Sequence, residues 1–211
     1  MLSELIRQGV DTVVATPHFY ATETTPDEFL QRRRRAYDAL SAELSSMPID
    51  LRLGAEIQYF EGLRNLSGIG DFCIEGTNLL LIEMPFSRWS ERTVRTLCEL
   101  TAKTGFDIVL AHIDRYLSMQ PKKLWRQLAD CGILMQINAE SLLYPRTRRK
   151  VLHLFKTGCV HFIGTDCHNM NSRPPKMAEA ISCIEDHLGK DAVFYLQDVQ
   201  YDFFRCPKGV L

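Results

Sequence analysis

Six short strand-like segments recur along this chain, and each ends on a histidine, a carboxylate or a carboxamide. DTVVAT hands over to Pro17 and His18, IDLRLGAEIQ ends near Glu56, and LLLIEMP ends with Glu83. DIVLAH ends in His112, ILMQIN in Asn138, and VHFIG, from Val160 to Gly164, runs through Thr165 to Asp166 and His168. Helical patterns separate almost all of these segments. Alternation of this kind implies a parallel sheet, and closed parallel barrels carry their functional groups at the C-terminal ends of the strands. LLLIEMP is so apolar that both its faces must be buried, which is the parallel-sheet character. One polar residue at one strand end means little, but the same arrangement at all six constrains both the fold and the chemistry.

Between the strands the helices are marked by their punctuation. Leu2 to Gln8 reads as the tail of a helix closed by Gly9. Pro26 to Ser46 carries an apolar stripe at Phe29, Ala36, Tyr37, Leu40 and Leu44. Arg32 to Arg35 point all round that helix, so a solvated face is expected rather than an anion-binding patch. Trp89 to Gly105 places Val94, Leu97, Cys98 and Thr101 on one face. Pro121 to Asp130 and Pro145 to Gly158 follow, the latter with Val151, Leu154 and Phe155 inward. Lys176 to Leu188 turns Met177, Ile181, Ile184 and Leu188 to the core, and Ala192 to Phe204 is a further helix. The barrel looks one or two strands short, in keeping with a chain that opens in mid-helix.

Composition excludes several classes of function. At 211 residues the chain supports one sizeable α/β domain, spanning 1–211. A net charge of −1 offers no basic field for nucleic acid. No run of about 18 apolar residues occurs and the N-terminus has no signal-peptide character, so a cytoplasmic protein without membrane insertion is expected. Seven cysteines, with no CxxC pair, suggest reduced thiols rather than a disulfide frame or a zinc knuckle.

Three histidines and three carboxylates at one rim exceed the four ligands of a single zinc site and suit two or three divalent ions sharing bridging carboxylates. Mixed imidazole and carboxylate donors favour manganese, iron or zinc over magnesium. Such a centre activates water as a nucleophile and clamps the oxygens of a phosphate ester. Arg115 and Arg173 then fit as phosphate clamps, because a guanidinium presents a planar fork matched to phosphate oxygens. His161, inside a strand, and His153 and His187, inside helices, are expected to be structural or on the surface.

TPHF, GAE, LLIEMP, AHIDRY and GTDCHNMNSRPP, in this order, resemble the polymerase and histidinol phosphatase (PHP) superfamily. Within it they look like the bacterial manganese-dependent tyrosine-protein phosphatases of capsule and exopolysaccharide loci. The resemblance runs from about Leu2 to Pro175. It implies a distorted seven-stranded (β/α) barrel, with the first strand missing from this chain, and a site for two or three metal ions, manganese above iron or zinc. The implied substrate is phosphotyrosine on a cognate bacterial tyrosine kinase that controls polysaccharide assembly. Carried over by position, His18, Glu56, Glu83, His112, Asp166 and His168 would be ligands, and Arg115 and Arg173 would hold the phosphate. Two departures stand out. No segment matches the His-x-His strand with which members of the family begin, and Ile113-Asp114 stands where the family usually has Pro-Glu. Weak or absent turnover by the chain as given is therefore expected.

Three alternatives lie beside this reading. Cys167 and Arg173 satisfy the CxxxxxR spacing of thiolate phosphatases, though HNMNS lacks the glycines that let backbone amides cradle a phosphate. A small phosphomonoester such as histidinol phosphate suits the same ligands. A catalytically impaired remnant that only binds partners is the third.

Overall fold

The computed structural model describes residues 1–204, apart from the Lys103 side chain. Cys206, counted above among the thiols, lies outside them. In chain order the elements are α1 (Leu2–Arg7), β1 (Thr12–Ala15), β2 (His18–Phe19), α2 (Pro26–Leu44), β3 (Asp50–Leu53), β4 (Glu56–Gln58), β5 (Leu79–Glu83) and α3 (Glu91–Thr104). They continue with β6 (Asp107–Leu110), α4 (Lys123–Asp130), β7 (Leu134–Asn138), α5 (Pro145–Lys156), β8 (Phe162–Gly164), α6 (Met177–Leu188) and α7 (Lys190–Phe204). Short 3₁₀ turns follow β4, β6 and β7.

Strands pair in the order β2-β4-β5-β6-β7-β8, with β1 and β3 as a separate pair, and every ladder among them is parallel. Together they form a curled half-barrel. The two-stranded pair is the lower part of the same sheet. Gly54 N donates to Ala15 O at 2.9 Å and Glu56 N to Pro17 O at 3.1 Å, so the ladder continues across the bend. Pro17 breaks the first strand by removing a donor. Gly54 lets the second approach closely, since a Cβ there would lie 3.2 Å from both Ile74 Cγ1 and Thr16 Cγ2. Each of the first two expected strands is therefore one bent strand, and Glu56 opens its upper limb rather than ending it. His112 likewise lies just past β6, in a left-handed turn with φ of 32°.

β5 is buried along its whole length. Leu80 and Ile82 join the large core with Leu97 of α3, Leu128 of α4, Val151 of α5 and Ile184 of α6. On the opposite face, Leu79, Leu81, Val109, Ala111 and Phe162 form a smaller cluster against Val199, Phe203 and Phe204 of α7. Helices α3 to α6 thus cover one side of the sheet, while α7 packs Leu196 into the large core and its last residues on the smaller cluster. Because successive side chains alternate across a strand, Glu83 stands on the same face as Leu79 and Leu81. The C-terminal ends of the strands form the mouth of the hollow that the curled sheet partly encloses.

Three expectations are corrected. In α2 only Phe29 is buried, and Leu40 is 47% exposed, so the periodic stripe is largely unpartnered among the described residues. Arg33 is not a solvated arginine: it donates to Gly54 O at 2.8 Å and Asp71 O at 3.0 Å, docking α2 on the bend between β3 and β4. Cys98 of α3 and Cys131 after α4 are joined as a disulfide across 33 positions, their Cα atoms 5.5 Å apart. The turn after α4 packs on α3, where a Cβ at Gly132 would lie 3.8 Å from Thr101 Cγ2. Sequence spacing shows no such meeting of distant segments. Cys73, Cys159, Cys167 and Cys183 are free thiols as expected. No helix among the described residues is long and apolar enough to cross a membrane.

Candidate metal centre

Four of the six expected ligands meet at the mouth of the hollow. β2 delivers His18, β4 Glu56 and β5 Glu83, while the turn after β6 delivers His112. One donor atom from each of His18, Glu56 and Glu83 lies within 4.8 Å of the others. His112 Nε2 sits 3.0 Å from Glu56 Oε1 and 3.3 Å from Glu83 Oε1. His18 Nδ1 lies 3.7 Å from Glu56 Oε1 and 3.9 Å from Glu83 Oε2, beyond hydrogen-bond reach. That nitrogen is buried without a hydrogen-bond partner. An orphaned imidazole nitrogen facing two buried carboxylates suits a divalent cation, since buried charges are otherwise paired or coordinate metals. Burial alone would depress the His112 pKa, but its hydrogen bonds to Glu56 and Glu83 raise it to about 9. The hydrogen bond from His112 holds the Glu83 carboxyl below its ordinary range.

Asp166 and His168 lie in an adjoining group. Asp166 Oδ2 accepts from Arg115, from Arg173 and, at 3.0 Å, from Asn138 Nδ2. The two expected phosphate clamps thus converge on one carboxylate oxygen, and Asn138 fixes that carboxylate from β7. Arg173 Nη1 is 3.2 Å from His168 Nε2, and the His168 ring centroid is 6.4 Å from that of His18. All six expected ligands and both arginines therefore share the mouth. Asp166, however, contacts the guanidiniums and Asn138 rather than the four-donor cluster. Its φ of 48° is a left-handed value that a non-glycine residue rarely adopts, and such strain gathers at functional positions.

Several supporting residues escaped the sequence reading. Gln136, on β7, accepts from His112 N at 2.6 Å through Oε1 and donates to Asn138 Oδ1 at 3.2 Å. Asp114, in the departure from the family pattern, accepts from Asn138 N at 2.8 Å through Oδ1, and burial raises its pKa. A ring of polar side chains thus runs from His112 through Gln136 and Asn138 to Asp166. Gln136 left no periodic or spacing signal. Asp114 was visible only as a deviation.

The loop after β8 is unsuited to thiolate chemistry. Asn169 Oδ1 accepts from the backbone N–H groups of Asn171, Ser172 and Arg173, at 2.9, 2.7 and 3.3 Å. The N–H groups of His168 and Asn169 both donate to Arg173 O. Five amides that a phosphate cradle needs are thereby committed within the loop. The remaining histidines take the expected structural or surface places. Met135 N donates to His161 Nδ1 at 3.1 Å, and burial lowers the His161 pKa. His187 Nδ1 lies 2.8 Å from Cys183 O, and His153 is exposed.

A curled parallel sheet with histidines and carboxylates gathered at the C-terminal ends of its strands defines a PHP-type α/β protein. The chain belongs to the CpsB/CapC family of capsular polysaccharide synthesis, whose sequence profile matches residues 1–200. It is 29% identical over 205 residues to the tyrosine-protein phosphatase CpsB of Streptococcus pneumoniae, covering 90% of this chain and 82% of that protein. It is 27% identical over 209 residues to the tyrosine-protein phosphatase YwqE of Bacillus subtilis strain 168, covering 94% and 80%. The fold matches a chain from the crystal structures of YwqE and CpsB, described as unique metal-dependent tyrosine phosphatases. That match has a TM-score of 0.83 at 23% identity and covers 100% of this chain and 87% of the other. Histidinol phosphate phosphatase from Lactococcus lactis, solved with zinc, L-histidinol and phosphate, shares the fold more distantly. Its TM-score is 0.55 at 16% identity, covering 90% and 85%.

Proposed function

We propose that this chain is a metal-dependent protein-tyrosine phosphatase, acting in the cytoplasm on phosphotyrosine of a bacterial tyrosine kinase that governs capsule or exopolysaccharide assembly. Residues 1–211 act as one metallophosphatase domain. His18, Glu56, Glu83, His112, Asp166 and His168 hold divalent ions, with manganese the best match and iron and zinc the nearest alternatives. Arg115 and Arg173 hold the phosphate. The observation that carries this reading is the four-donor cluster, buried at Glu56, Glu83 and His112 and half-buried at His18, with its orphaned His18 nitrogen, set beside two guanidiniums that meet at one point.

A divalent ion held there supplies Lewis acidity toward phosphoryl oxygens and toward water. The protein's own residues do the rest. The two guanidinium forks offer parallel N–H donors to the equatorial oxygens of the transferring group, where negative charge accumulates. Asp166 holds those forks in register, and Asn138 holds Asp166. The hydrogen bond from His112 N to Gln136 fixes the turn on which His112 stands. Tyr116, fully buried, donates to Met84 O at 2.8 Å and ties that turn to the residue after Glu83.

Turnover of a phosphotyrosyl peptide and of histidinol phosphate, each measured with manganese and again after chelation, tests the reading. Turnover, expected to be weak in this chain, should favour the peptide, be abolished by chelator and be retained in Cys167→Ser. Preference for histidinol phosphate would replace the substrate class. Activity that survives chelation but not Cys167→Ser would overturn the metal reading.

A further inference from the structure

We infer that Phe86 is a specificity-determining residue whose open ring receives the aryl group of an aromatic phosphate ester. The inference rests on the phosphatase reading above and names what sets its preference.

Phe86 stands three residues after Glu83, in the loop that leaves β5 at the mouth of the hollow. It is 57% exposed. Its ring nevertheless has a fixed neighbourhood: it lies 6.3 Å from the His112 ring at an interplanar angle of 14°, and 5.2 Å from Tyr116. The loop that carries it is pinned on both sides. Ser87 N and Trp89 Nε1 both donate to Pro85 O, at 2.8 and 3.0 Å. Gln120 Nε2 donates to Ser87 O at 2.7 Å, and Trp89 N donates to Gln120 Oε1 at 3.2 Å. An isolated exposed phenylalanine needs no explanation. One held by four hydrogen bonds around its backbone, against a histidine of the cluster, is a preorganised surface.

A second ring is placed in the same way. Tyr20, directly after β2, stacks on His18 with centroids 5.5 Å apart and planes 16° from parallel. Each histidine of the four-donor cluster therefore carries an aromatic ring nearly parallel to its own. Tyr20 is half-buried, whereas Phe86 keeps most of its surface open. A phosphate held by Arg115 and Arg173 beside the cluster must direct its ester substituent out of the mouth. A planar aryl group there stacks on Phe86, while a flexible alkyl chain gains little, because offset ring stacking adds attraction beyond area burial.

The test uses the manganese-loaded full chain and two non-hydrolysable probes, phenylphosphonate and methylphosphonate, titrated calorimetrically into the native protein and into Phe86→Ala and Phe86→Tyr. The native chain is expected to bind phenylphosphonate about threefold to tenfold tighter than methylphosphonate. Phe86→Ala should lose that margin without weakening methylphosphonate or lowering metal content, and Phe86→Tyr should restore it. In turnover, Phe86→Ala should raise KM for a phosphotyrosyl peptide with kcat within about twofold, as expected when uniform binding is removed. Equal binding of the two phosphonates by the native chain would overturn the inference. So would parallel loss of both probes in Phe86→Ala, or loss of metal, since the ring would then merely support His112. Failure of the phosphotyrosine reading looks different: an intact aryl margin with no turnover of the phosphotyrosyl peptide.

Discussion

Arg173 reaches both Asp166 and His168, so removing it tests whether that guanidinium serves the substrate or the architecture of the mouth. Arg173→Ala is expected to lower kcat/KM by about 100-fold or more while metal content is retained, the scale of losing one preorganised donor to transition-state charge. Arg173→Lys should recover only part, because an ammonium lacks the planar fork. Parallel assays of turnover and bound metal decide the matter, and an equal fall in both would mean that the side chain supports the site instead. A second substitution tests the polar ring behind the ligands. A Cβ at Gly164 would lie 2.6 Å from Gln136 Nε2, so Gly164→Ala must displace the side chain that accepts from His112 N. A cost of about 1–3 kcal/mol is expected from overpacking, together with weaker metal binding, readable in denaturant melts and metal titrations. At this scale the ligand-type residues were legible in the sequence, because Glu83, His112, Asp166 and His168 stand at or past the end of a strand and His18 and Glu56 open the upper limbs of bent ones. Gln136 and Phe86 were not. A glutamine inside a strand and a phenylalanine after a proline fit every strand-and-turn pattern, and only their neighbours in space give them a role.

Among the elements, β7 and β8 are held at their lower ends by a histidine rather than by ladder bonds alone. Met135 N donates to His161 Nδ1, which requires that nitrogen to be unprotonated. Burial lowers the His161 pKa, so the folded chain takes up a proton there at lower pH than the unfolded chain does. Folding stability is therefore intact above the unfolded histidine pKa of about 6.5 and is lost as pH falls from there toward the depressed folded value, by up to about 1.4 kcal/mol per pH unit. Between pH 6.5 and 5 the melting temperature should fall more steeply for the native chain than for His161→Gln; identical slopes would rule this linkage out. The elements themselves were readable where punctuation was strong. Thr25 and Glu28 form a capping box before α2, and Gly105 ends α3 with φ of 73°. The misread features were those decided at a distance: the bend at Pro17 and Gly54, and the α2 stripe that finds little to pack on. Helical periodicity shows which face of a helix is apolar, not which layer receives it.

For the molecule as a whole, the sheet and the site constrain each other. The four-donor cluster draws on β2, β4, β5 and the turn after β6, three adjacent ladders of the half-barrel. The sheet is open: among the described residues no ladder joins β8 to β1 or β2. What bridges that gap is side-chain bonding, with Gln8 of α1 donating to Pro175 O at 3.0 Å and accepting from Met177 N at 2.8 Å. That gap lies outside the four-donor cluster, whose strands are already laddered; a cation bound there would add a further link across them and would offset the repulsion between Glu56 and Glu83. Since it binds the folded chain and finds no such site in the unfolded one, it must stabilise folding, by about 2.7 kcal/mol at a concentration 100 times its dissociation constant. Thermal melts of the native chain should move upward with added manganese and return after chelation. Glu56→Gln and Glu83→Gln should abolish the manganese dependence. Their metal-free melting temperatures should fall below that of the native chain, because each substitution removes a carboxylate that accepts from the buried His112. A manganese shift that persists in both variants would place the stabilising ion elsewhere on the molecule.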